Sequence, residues 1–344
     1  MRWNLSSPPE ASSAGPGETL VIQEMRGDGV FDNVGGELWE ASLLLCAYML
    51  SHSDQFLQNS VLELGAGVGL CGLLAVQMKR RALSAPYSIP CAITTRAIGP
   101  EEVCFSDNDP QVLANLCSAI EVLVHDEAAG AALRAETGTP NATDAAVPVS
   151  VVHLDWTQSF PASLRDRFDI AIGSALCYSV GHSAALLRTI RSLLLGLASS
   201  ADTPASSNTG SRQESALESR TRPRCREIVI VQISDRSGFQ SLLQALDEDS
   251  ELCVDVQKIS QEMYAFAQLI SCSAGTQKQQ QQWQVQKQTQ AHRHGQVTLQ
   301  KKYHIPPWPP LPLKEAPSLP KGRKRGLLVT SKDNFRLVSI TARV

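Results

Sequence analysis

The sequence has little of what several protein classes require. Its nine cysteines include no C-x-x-C pair and have no histidine at zinc-ligand spacing, so neither a zinc module nor a paired-thiol redox motif is written in it. Several of these cysteines lie inside apolar runs, where a free thiol behaves as a small hydrophobe, and the expectation is a reduced compartment with no structural metal. There is no surplus of positive charge either. With 31 Lys and Arg against 34 Asp and Glu, the net charge is −3, which gives no electrostatic reason to expect nucleic acid or a membrane surface as partner. The longest apolar run, Ala41 to Leu50, is about half of the ~20 residues a bilayer span needs. Residues 1–18 are rich in Ser, Pro, Gly and Ala without an apolar core, so they are expected to be a disordered leader, neither signal peptide nor anchor. A soluble protein, cytoplasmic or nuclear, is expected.

What is present is 344 residues with 43% hydrophobic content, enough for one large α/β domain or two smaller ones. Short β-type runs alternate with segments of helical period. Thr19–Gln23 is a strand candidate, and Glu37–Leu50, with apolar residues at 38, 41, 45, 48 and 49, has the spacing of an amphipathic helix. Strands follow at Val61–Leu64, Val103–Ser106, Val149–Leu154, Phe168–Gly173, Glu227–Ile233 and Leu252–Val256, and Phe335–Val344 alternates like a last strand returning to the sheet. Between them lie helical patterns, one opened by Asp109-Pro110, an N-cap acid followed by proline at the first helical position. Prolines and polar low-complexity stretches mark insertions at 84–100, 125–146, 199–226 and 260–332, the last including a Gln-rich tract (277–300) and a Pro-rich one (305–320). The pattern predicts a single domain over 19–344: a seven-stranded, mostly parallel sheet with helices on both faces, whose last two strands form an antiparallel edge.

The stretch Val61-Leu62-Glu63-Leu64-Gly65-Ala66-Gly67-Val68-Gly69-Leu70 runs a buried strand into three glycines at alternate positions. Without Cβ atoms in the way, a ligand lies close to such a turn. A nicotinamide-type G-x-G-x-x-G would need glycine at position 70, where Leu70 stands. In an open α/β sheet the ligand crevice lies beyond the carboxyl ends of the strands, so the residues ending successive strands converge there. Asp107 ends the second strand and suits the two hydroxyls of a ribose, with an Asx-turn or cap as the plain alternative; Asp109 fills the cap role better. Trp156 ends the third and offers a flat face to a base, or simple core packing. Ser174 ends the fourth. Together with Trp39, beside Gly35-Gly36, these residues point to S-adenosylmethionine as the ligand.

The ordered pieces Leu38-Trp39-Glu40-Ala41-Ser42, Leu62 to Leu70, Phe105-Ser106-Asp107, Leu154-Asp155-Trp156 and Phe168 to Ser174 resemble the seven-strand protein-lysine methyltransferases of the methyltransferase-like group. The resemblance spans roughly residues 30–260 outside the insertions, plus the last strand. It implies a Rossmann-like class I methyltransferase fold, S-adenosylmethionine as cofactor and a protein substrate; a monomer without a metal is expected. By it, Trp39, Gly65, Ala66, Gly67, Asp107, Trp156 and Ser174 would contact the cofactor, and Glu63 would lie under its methionine end. Where the family carries an acid, two further residues and then an aromatic, this chain reads Ala175-Leu176-Cys177-Tyr178, so the aromatic is kept and the acid is absent. Tyr178 is therefore the expected orienting group for the target nitrogen. The alternatives are a nucleic-acid or small-molecule methyltransferase, or a protein that binds the cofactor without turnover. The first lacks its Asn/Asp-Pro-Pro-aromatic motif after the fourth strand.

Overall fold

The computed structural model describes residues 18–26, 34–84, 100–136, 147–196, 224–272, 297–305 and 331–343. The leader before residue 18, the interiors of the insertions at 84–100 and 199–226, most of the Gln-rich tract, the Pro-rich tract and the basic run 321–325 lie outside these. Seven strands form the main sheet: β2 (Ser60–Leu64), β3 (Glu102–Asp107), β4 (Val149–His153), β5 (Ile170–Ser174), β6 (Glu227–Ile233), β7 (Leu252–Lys258) and β9 (Phe335–Ala342). Their order is β4-β3-β2-β5-β6-β9-β7. The first five run parallel, and β9 lies antiparallel between β6 and β7. The seven expected strands and the antiparallel edge pair are therefore all in place.

Alternation along each strand divides the buried side chains between two cores. Val61, Phe105, Ile172 and Val231 face one side, which is covered by α1 (Glu40–Ser51), the single turn α2 (Ser53–Phe56), α3 (Leu70–Ser84), α4 (Pro110–Glu136) and α7 (Gln261–Cys272). Leu62, Leu64, Ala171 and Ile230 face the other, covered by α5 (Val180–Leu195) and α6 (Ser237–Asp247). A sheet buried on both faces explains the near-continuous apolar runs of its central strands. Each fully buried Leu, Ile or Phe contributes about 1.5–3 kcal/mol.

Three expectations need correction. The helix expected over 37–50 begins at Glu40, and Ala41 through Leu50 are all buried, so it is enclosed and not amphipathic. The reason is α7, whose Met263, Phe266, Ala267 and Ile270 are also buried in that core and cover α1 from outside. Residues 125–136, read as part of a loop, continue α4 to Glu136, in keeping with the alanines that dominate this stretch. Finally, the 260–332 stretch is not all insertion. It holds α7 and a strand, β8 (Val297–Ile305), which pairs antiparallel with β1 (Glu18–Arg26) in a separate two-stranded sheet running from Glu18↔Ile305 to Arg26↔Val297. The Asn115 amide of α4 donates to the Gln23 carbonyl at 2.7 Å and ties this ribbon to the body.

The sheet's strand order turns back at β2, with β3 on one side and β5 on the other. A switch point of this kind opens a crevice at the carboxyl ends of those strands.

Candidate functional site

At that crevice lies a cavity of about 970 Å³. Its floor is the turn between β2 and α3, where Gly65, Gly67 and Gly69 have φ of +56°, +55° and +76°, a conformation that disfavours any residue with a Cβ. Glycine is also required sterically at position 69, where a Cβ would stand 2.3 Å from Leu116. The Ala66 N–H donates to the Ser106 carbonyl at 2.8 Å and the Gly67 N–H to Asp107 Oδ2 at 3.0 Å. The turn is thus stapled to the end of the neighbouring strand.

Trp39, Gly65, Ala66, Gly67, Asp107, Trp156, Ser174 and Tyr178 all line this one cavity. Glu63 does not. It is buried below the turn, where its Oε2 accepts from the Gly72 N–H at 2.9 Å and so holds the first turn of α3. Burial pushes its carboxyl up to about 8, against the pull of that bond and of Cys71. Asp107 splits its carboxylate between two amides, Oδ2 to Gly67 and Oδ1 to Asp109 at 3.1 Å, and burial raises its pKa despite them. Asp109 is the cap: its Oδ1 accepts from Gln111 N–H at 2.7 Å and Val112 N–H at 3.3 Å at the start of α4.

Trp156 stands over the turn, its Cη2 and Cζ2 3.5 Å from where a Gly65 Cβ would be. Its buried indole Nε1 has no hydrogen-bond partner among the described residues. The Trp39 indole instead donates to the Val34 carbonyl at 2.8 Å, so it braces the loop that forms the opposite wall. Ala175, which stands where an acid was expected by resemblance, has φ +52° and donates its N–H to the Val231 carbonyl at 2.9 Å. Tyr178 is 45% exposed at the mouth, and burial together with the charge of Asp107 raises its phenol pKa.

Further wall residues were not singled out from the sequence. Gln232, 1% exposed, accepts from the Leu176 N–H at 2.7 Å and the Cys177 N–H at 2.9 Å when its amide oxygen faces them, and so fixes the loop after β5. A lone glutamine inside the apolar run Ile228 to Ile233 was the available signal, since a buried amide needs partners. His182 and Arg236 also line the cavity. Among the described residues Arg236 is its one Lys or Arg, against Glu37, Asp107, Asp109 and Asp155, so the site suits a cationic ligand. No group of residues that could hold a metal ion, and no helix long and apolar enough to cross a membrane, occurs among the described residues.

This strand order, with one antiparallel strand inserted beside the edge and a glycine turn at the switch point, is the seven-strand methyltransferase fold. Residues 16–97 match the sequence model of the lysine methyltransferase family. Over 71 residues the chain is 35% identical to methyltransferase-like protein 22 of Homo sapiens, a stretch that is 21% of this chain and 17% of that protein. Over 42 residues it is 45% identical to protein N-lysine methyltransferase METTL21A of Xenopus tropicalis, covering 12% of this chain and 20% of the relative. The matched stretches thus span a fifth or less of these curated relatives. Among solved structures, the METTL16 methyltransferase domain aligns over 64% of this chain and 75% of its own length at 10% identity, with a TM-score of 0.35, too loose a superposition to add to the topology.

Proposed function

We propose that this protein is an S-adenosylmethionine-dependent methyltransferase that N-methylates lysine side chains of a protein substrate. The observation that carries this is the convergence of the strand-end residues Asp107, Trp156 and Ser174 on one cavity around the Gly65–Gly69 turn. The cavity fits the cofactor on two counts. The left-handed glycines leave bare backbone for close approach, and Trp156 Nε1 is a buried donor without an acceptor among the described residues. Gly65, Ala66 and Gly67 would hold the cofactor against backbone, Asp107 its ribose, and Trp156 its base, with Trp39 and Ser174 completing the walls. Glu63 acts from beneath by fixing the first turn of α3.

When bound, S-adenosylmethionine supplies an electrophilic methyl group on a sulfonium, open to in-line attack by an unprotonated amine. The chain's own task is to bind, orient and exclude water. The surplus of acids around the cavity favours a cationic cofactor and a cationic acceptor side chain. It disfavours a phosphate backbone, which weighs against a nucleic-acid substrate. Tyr178, exposed at the mouth, orients the incoming nitrogen.

Methyl-labelled cofactor incubated with the protein and cell extract tests this. Label in protein bands is expected. Label in RNA alone would point to the nucleic-acid alternative. Cofactor binding by calorimetry with no labelled product would favour a binder without turnover, for which the missing acid at Ala175 is the motivating feature.

A further inference from the structure

Ser179 is the N-cap of α5, yet its hydroxyl makes no cap bond to the helix amides. A serine at that position ordinarily accepts from the second or third amide of the helix. Here its Oγ instead meets Nδ1 of His182, the third residue of the helix, at 2.6 Å. The bond fixes the imidazole ring and leaves Nε2 as its free nitrogen, without a hydrogen bond among the described residues. The ring lines the cavity and lies 4.7 Å from the Tyr178 ring, tilted by 55°. The Tyr178 phenol in turn feels the charge of Asp107, whose carboxylate is tied to the glycine turn. His182 therefore belongs to the acceptor end of the cavity, adjoining the cofactor end.

A lysine-type amine with an ordinary pKa of ~10.4 is almost wholly protonated at neutral pH, and an ammonium has no lone pair to offer. Something at the acceptor end must take its proton. Position 175 has no carboxylate, and three of the four acids on the wall are engaged: Asp107 with Gly67 and Asp109, Asp109 as the α4 cap, and Asp155 with the Thr157 N–H and hydroxyl at 2.8 and 2.7 Å. Imidazole is also the side chain whose unperturbed pKa lies nearest neutrality, where a general base is most effective.

Resting on the methyltransferase assignment above, we propose that His182 is the catalytic proton acceptor for the substrate amine, held by Ser179 and flanked by Tyr178. Nδ1–H donates to Ser179 Oγ, and the bare Nε2 takes the proton. One N–H bond of the substrate ammonium breaks, its electron pair stays on the substrate nitrogen, and an Nε2–H bond forms. The resulting imidazolium releases the proton to water at the open mouth. The titratable and charged groups that line the cavity with this ring are Tyr178 and Cys177 from its own connection, Arg236 from the β6–α6 turn, Asp107, Asp109 and Asp155 just at or beyond the ends of β3 and β4, and Glu37 from the segment before α1.

The test compares wild type with His182→Asn, which keeps a polar partner for Ser179 and cannot titrate, and with Ser179→Ala. Cofactor affinity is read by calorimetry, label transfer is followed from pH 6 to 10, and the His182 tautomer is read by NMR on protein carrying ¹⁵N-histidine. The expected results are unchanged cofactor affinity and a loss of transfer of about 100-fold at pH 7 in His182→Asn, shrinking as pH approaches the ~10.4 at which the amine sheds its own proton. Ser179→Ala should show a smaller loss with the same rescue, and free wild type should carry its proton on Nδ1. Equal loss at every pH, loss of cofactor affinity in His182→Asn, or a proton on Nε2 of the neutral ring would each overturn the proposal. Full activity of His182→Asn would overturn it while leaving the methyltransferase assignment intact. Wild type that neither binds the cofactor nor labels protein would overturn both.

Discussion

Glu63 offers the sharpest physical prediction. It is a carboxylate on the central strand, 3% exposed, with one backbone donor at 2.9 Å from Gly72. Desolvation lifts its pKa from 4.5 to about 8, and the bonds from Gly72 and Cys71 return only part of that. Between those two values the folded chain holds a proton that the unfolded chain has released, so stability falls as pH rises through the window and levels off above it. At ~1.36 kcal/mol per pH unit, the interval from 4.5 to about 8 amounts to roughly 5 kcal/mol. Glu63→Gln keeps an oxygen for the Gly72 N–H and removes the titration. At pH 5 the two proteins should have urea midpoints that differ little; by pH 8.5 the glutamine variant should be the more stable by most of that amount. The assay is urea unfolding at pH steps from 5 to 9, read as the difference between the two proteins. A difference that does not change with pH would refute the reasoning, because Glu63 would then carry the same charge folded and unfolded.

Three further outcomes follow from the same geometry. Asp107→Asn keeps an oxygen for one amide but removes the charge, and calorimetry should find S-adenosylmethionine bound about tenfold more weakly, the loss of one charge-assisted hydrogen bond; unchanged affinity would take Asp107 off the ribose. In Gly72→Ala the new Cβ would lie 2.2 Å from Phe105 Cε1 and 2.7 Å from Glu63 Oε2, so thermal unfolding should show a loss of about 2 kcal/mol, and a neutral result would contradict the packing of α3 on β3. Ala175→Gly relieves a left-handed residue at φ +52° and should raise stability by about 0.5–1 kcal/mol once the greater freedom of glycine in the unfolded chain is subtracted; destabilisation would show that the Ala175 methyl is held by its neighbours.

The central fold was legible because its signals are local. Buried strands read as apolar runs, and Gly65, Gly67 and Asp107 announce a turn and a strand end within a few residues of each other. The order of strand ends then brought the cavity residues together without any long-range knowledge. What escaped depends on distant partners. β8 lies in a polar, low-complexity neighbourhood, and only its pairing with β1 at the far end of the chain makes it a strand. α1 looked amphipathic because α7, which closes its outer side, was hidden in the same neighbourhood. Glu63 lies beneath the glycine turn, and what the sequence did not show is its bond to the Gly72 N–H, which depends on how α3 packs against β2. The Ser179–His182 pair carries no motif; its signal is a serine N-cap with histidine three residues on, visible only when the hydroxyl is seen to leave the helix amides for the ring.

The central claim is methyl transfer from S-adenosylmethionine to lysine on a protein. Its most direct test is to incubate cell extract with this chain and methyl-labelled cofactor, to hydrolyse the labelled protein, and to identify the amino acid that carries the label. Labelled methyl-lysine is the expected product. Label on another residue, label confined to nucleic acid, or no label from a protein that binds the cofactor would contradict it.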